Sequence, residues 1–62
     1  MIKLTKRIFV DGFYRYEDIP NDCKTYAETV KTFGGRQDWN DKKAHRFTVN
    51  GYLYLMKKLK EK

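Results

Sequence analysis

Two runs of aliphatic, aromatic and basic residues flank the dipeptide Asp11-Gly12, and no other stretch restricts the fold of this chain as strongly. Asp tolerates positive φ and Gly adopts it freely, so a two-residue type I′ turn is predicted there, with a twist that matches its strands. Such a turn sets Val10 opposite Phe13, Phe9 opposite Tyr14, Ile8 opposite Arg15, Arg7 opposite Tyr16 and Lys6 opposite Glu17. One face then carries Ile2, Leu4, Ile8, Val10, Phe13 and Ile19, and the other carries Lys3, Thr5, Arg7, Phe9, Tyr14 and Tyr16. The aliphatic face is expected to be core. The second mixes bases with aromatics and suits either a ligand or a second packing layer.

With 62 residues the chain has room for a single small domain, 1–62, and one thin core. Such a core typically supplies about 3–5 kcal/mol unless disulfides, a metal or a partner add to it. Cys23 is the only cysteine and His45 the only histidine, so neither an internal disulfide nor a four-ligand zinc site is available. No cofactor or metal is expected, and a homodimer or another partner is one way to complete the core.

The net charge of +6 is uneven: residues 1–31 hold six bases and five acids, residues 32–62 eight bases and three acids. The bases of the second half fall into Arg36, Lys42, Lys43 and Arg46, then Lys57, Lys58, Lys60 and Lys62. That field suits an anionic partner, although solubility alone explains many such charges. Apolar residues near the N-terminus alternate with Lys and Arg, unlike a secretory signal, and no apolar run is long enough to span a bilayer. A cytoplasmic protein with Cys23 reduced is the simplest expectation.

After Pro20-Asn21-Asp22, apolar groups recur at Cys23, Tyr26, Ala27, Val30 and Phe33, the spacing of one buried helical stripe. Asn21 or Asp22 could cap this helix, or Thr25 could, paired with Glu28. Gly34-Gly35 should end it. Val30 and Phe33 are expected to meet Ile8, Val10 and Phe13. From Arg36 to Arg46 the chain reads as an irregular loop in which Trp39 is expected to plug the core. Asp38 could instead cap a short helical turn through Lys42 and Lys43.

For the last segment a C-terminal basic helix is preferred, with Asn50 as its cap and Tyr52, Leu55, Met56 and Leu59 on one stripe. Asn50-Gly51 is, however, as good a hairpin turn as Asp11-Gly12, and a second β-hairpin around it is the alternative. The fold class is α+β in either case.

Asp38, Asp41 and His45 form a weak acid–base or metal pattern, with no nucleophile and base pair and no Gly-rich loop leading into a Lys beside it. No catalytic residue is assigned. Gly34-Gly35-Arg36 resembles a phosphate cradle, but its position after a helix favours a cap. Non-catalytic binding of DNA or RNA leads, through Arg7, Tyr14, Tyr16, Arg36, Lys42, Lys43, Arg46, Lys57 and Lys58, since bases attract phosphates and aromatics stack exposed bases. The rival is a small regulator or inhibitor docking on a larger protein through Phe9, Trp39 and Tyr54, residue types enriched at interface cores.

Overall fold

A computed structural model of the chain describes residues 1–59. Its order is β1 (Ile2–Val10), β2 (Phe13–Ile19), α1 (Tyr26–Phe33), α2 (Trp39–Ala44), β3 (Arg46–Val49) and β4 (Tyr52–Lys58). The strands form one antiparallel sheet in the order β2-β1-β4-β3. The first hairpin has the expected register, from Val10 opposite Phe13 through Lys6 opposite Glu17, and continues to Leu4 opposite Ile19. Asp11 and Gly12 both take positive φ, as the type I′ turn requires.

The C-terminal helix does not form. Asn50 and Gly51 repeat the geometry of the first turn, with φ of 50° and 83°, and return β4 against β3. β4 then slots between β3 and β1, pairing Ile2 with Lys58 through Arg7 with Leu53. Locally the segment satisfies both patterns, with Tyr52, Leu55, Met56 and Leu59 on one helical stripe and Leu53 to Met56 forming a two-sided apolar strand. The strand prevails because it pairs the long inner edge of β1, an opportunity a helix leaves unused. Asn50 is therefore a turn residue, not a cap. Lys60 and Lys62 of the second basic cluster lie outside the described residues.

Thr25 caps α1, its hydroxyl accepting the Glu28 N–H at 3.1 Å. Asn21 is used otherwise: its amide donates to the Ile2 carbonyl and to the Thr29 hydroxyl, tying the β2–α1 connection to the start of the sheet. Gly34 ends the helix in the left-handed conformation, as expected. Asp38 caps α2 in a reciprocal box with Asp41.

The buried core is Ile2, Leu4, Phe47 and Met56, with Ile19, Tyr26, Val30, Phe33, Val49 and Tyr54 packed around it. Val30 and Phe33 thus meet the far end of β1 and the second hairpin, not Ile8, Val10 and Phe13: Ile8 lies outside the core cluster, and Val10 and Phe13 are exposed. The reason is length. An eight-residue helix spans about 12 Å, whereas the nine residues of β1 extend about 30 Å. Trp39 is no core plug; it is 73% exposed at the start of α2, a helix with no buried residue, because Phe33 of α1 and Phe47 of β3 already fill the core.

Candidate nucleic-acid interface

Alternation along the strands divides the sheet into two faces. The helix-covered face carries Ile2, Leu4, Phe47 and Met56, so the opposite side chains, Lys3, Thr5, Arg7 and Phe9 of β1, Tyr14, Tyr16 and Asp18 of β2, and Leu53, Leu55 and Lys57 of β4, lie on the open face. The helix residues packed on the sheet, Tyr26, Val30 and Phe33, meet the other face. Arg7 lies over the ring of Tyr14, its guanidinium carbon 4.4 Å from the centroid, and Phe9 packs against the same ring at 5.2 Å with a 59° tilt. Tyr16 sits directly opposite Arg7. Phe9, Tyr14 and Tyr16 are each more than half exposed. These three rings and one guanidinium form a contiguous aromatic and cationic surface, flanked by Lys3 opposite Lys57.

The other basic candidates are dispersed. Arg46 is on the open side at the far edge, where its Nε donates to Asp41 Oδ1 at 2.8 Å. Arg36 runs beside β3, exchanging two backbone hydrogen bonds with Thr48 and closing that edge of the sheet. Lys42 and Lys43 project from α2, with Lys43 Nζ 5.3 Å from the Trp39 ring centroid. Lys58 ends β4 on the helix side, its backbone N–H donating to the Tyr26 hydroxyl. Tyr54 is half-buried on the helix side too, stacked on Phe47 at 5.1 Å. The structure therefore brings together Arg7, Phe9, Tyr14, Tyr16 and Lys57 on one surface, leaves Arg46 at the far edge of that face engaged with Asp41, and places Arg36, Lys42, Lys43, Lys58, Trp39 and Tyr54 elsewhere.

Lys3, Leu53 and Leu55 complete that surface. Strand parity reveals Leu53 and Leu55 only if residues 52–58 are read as a strand. On the helix side, Lys6 stands 4.2 Å from the Tyr52 ring centroid, a cation–π contact that no local pattern announces.

Asp38, Asp41 and His45 are all engaged structurally. The two carboxylates serve the α2 cap, Asp41 also takes Arg46, and the His45 ring stacks on Tyr26 at 4.1 Å. The Arg46 hydrogen bond lowers the Asp41 pKa from its ordinary value of 3.8, outweighing the opposing effect of desolvation. Among the described residues no group of three or more His, Cys, Asp or Glu side chains could hold a metal ion, and no helix is long and apolar enough to cross a membrane. No family model matches the chain, and no curated protein or solved structure matches it either.

Proposed function

We propose that the protein binds single-stranded nucleic acid on the open face of its sheet. The observation that carries this reading is the juxtaposition of the exposed rings of Phe9, Tyr14 and Tyr16 with the half-buried Arg7, on the face opposite the one packed by Tyr26, Val30 and Phe33 of α1. Aromatic rings on a sheet offer stacking platforms to unpaired bases, and Arg7, Lys3 and Lys57 offer cations to the intervening phosphates. The chain's net charge of +6 adds a long-range attraction.

The test is fluorescence anisotropy with single-stranded DNA and RNA and a duplex control over a salt series. Log affinity for single strands should fall linearly with log salt, by about 0.7 of a unit for each phosphate neutralised. Tyr16→Ala should cost about 1–3 kcal/mol on single strands and little on duplex. Lys42→Ala with Lys43→Ala should weaken all sequences alike and less strongly, because α2 is remote from the rings. Absence of binding at low salt, or an affinity indifferent to salt, would overturn the reading.

The rival, a regulator docking on a larger protein, is favoured by the exposure of Trp39 beside Lys43. A stoichiometric protein captured from nuclease-treated lysate, and lost with Trp39→Ala, would select it.

A further inference from the structure

The two edges of the sheet are treated differently. β3 is closed by Arg36, whose N–H and carbonyl pair with Thr48, and by Gln37, whose amide donates to the Arg46 carbonyl at 2.8 Å. Among the described residues β2 has no such cover. Leu59 N–H donates to the Met1 carbonyl, which fixes the parity of the ladder: odd-numbered residues of β1 bond to β4 and even-numbered ones to β2. Within β2 the backbone groups of Phe13, Arg15, Glu17 and Ile19 therefore face β1, while those of Tyr14, Tyr16 and Asp18 point outward, unbonded among the described residues. An open edge strand is a template for another strand.

We infer that the occupant is a second copy of this chain, joined β2 to β2 in antiparallel fashion about a two-fold axis through Tyr16, to give a continuous eight-stranded sheet. The side chains of β2 select that register. Centred on Tyr16, it sets Arg15 opposite the partner's Glu17 and Glu17 opposite the partner's Arg15, both as non-hydrogen-bonded pairs, the closer kind. The outward backbone groups of Tyr14 and Asp18 exchange hydrogen bonds across the seam, as do those of the two Tyr16 residues. A shift by two residues in one direction puts Arg15 against Arg15, and in the other Glu17 against Glu17. A shift by one sets outward backbone groups against inward ones. Neither Arg15 nor Glu17 has an ion-pair partner within the chain among the described residues, so both are free for the seam.

The same register places Phe13 opposite the partner's Ile19. Phe13 is 76% exposed, and Ile19 with Pro20, Ile2 and Leu4 walls an open, mainly apolar pocket of roughly 290 Å³ at the other end of β2. Each copy thus carries an exposed ring at one end of its edge strand and a recess beside the other end, the self-complementary arrangement a two-fold interface requires. The inference is independent of the nucleic-acid reading and is tested without nucleic acid.

Sedimentation velocity over a concentration series at low salt should show a monomer–dimer equilibrium. Arg15→Glu and Glu17→Arg should each raise the dimer dissociation constant about tenfold, since each turns two attractive pairs into repulsive ones. An equimolar mixture of the two variants should recover association, because every seam pair is then again of opposite sign. Phe13→Ala should weaken the dimer while leaving the circular dichroism spectrum unchanged. Tyr16→Pro, which removes an outward N–H without breaking the β1–β2 ladder, should abolish it. A wild-type protein that stays monomeric throughout overturns the inference. So does a mixture of folded charge variants that fails to associate, and so does a dimer indifferent to Phe13→Ala and Tyr16→Pro.

Discussion

Gly35 owes its identity to a neighbour and not to its own backbone angles. A methyl group built there would overlap the ring of Phe47, the most deeply buried side chain of the core. Gly35→Ala should accordingly cost about 1–3 kcal/mol in urea denaturation, the usual range for overpacking. Asp41 acts through charge. Its pKa is lowered by Arg46, so its contribution to stability is complete above the ordinary value of 3.8 and is lost as pH falls from there through the lower folded value. The gap in denaturation midpoint between wild type and Asp41→Asn should be present at neutral pH and close below that value. A gap that widens on acidification would contradict the assignment.

Ladder parity governs the edge strand. Arg15 and Tyr16 are adjacent in β2, yet the N–H of Arg15 faces β1 and that of Tyr16 faces outward. Arg15→Pro should remove a ladder hydrogen bond and cost about 1 kcal/mol or more, whereas Tyr16→Pro should cost the monomer much less. Thermal melts of the two variants at dilute concentration, where the monomer dominates, make the comparison. Equal losses would place the free edge elsewhere. The outer part of this hairpin extends past β4, whose pairing with β1 reaches Arg7, so Ile8 to Val10 and Phe13 to Arg15 form a two-stranded arm beyond the four-stranded sheet.

Over the whole molecule, burial concentrates at one end and exposed aromatic rings at the other. Phe47, Ile2, Leu4 and Met56 lie beneath α1, while Phe9, Phe13 and Tyr14 sit near the tip of the arm in solvent. Phe47→Ala should cost about 3–5 kcal/mol, comparable to the entire stability expected of a domain this small, and should leave the chain largely unfolded. Phe13→Ala, which removes as large a ring, should leave the denaturation midpoint of the monomer within about 0.5 kcal/mol of wild type. Similar losses from both would mean that the arm is packed, and both the open face and the proposed seam would have to be abandoned.

Residues whose conformation is decided by themselves and their nearest neighbours were legible from the amino-acid sequence. Asp11-Gly12 specified the first hairpin, its register and the alternation that separates Arg7, Phe9, Tyr14 and Tyr16 from Ile2 and Leu4. Thr25 was one of the caps open for α1, Gly34 its stop, and Asp38 the alternative start of α2. Positive φ and short-range hydrogen bonds act within a few residues, so local patterns carry them. The length of α1, and hence how far its cover reaches along β1, depended on where the Thr25 cap falls. The state of residues 52–58 depended on the vacant edge of β1, some fifty residues earlier in the chain. The exposure of Trp39 depended on Phe47 and Phe33 having filled the core. Each is a competition for space or backbone partners between segments far apart in sequence, and only the tertiary structure decides such a competition.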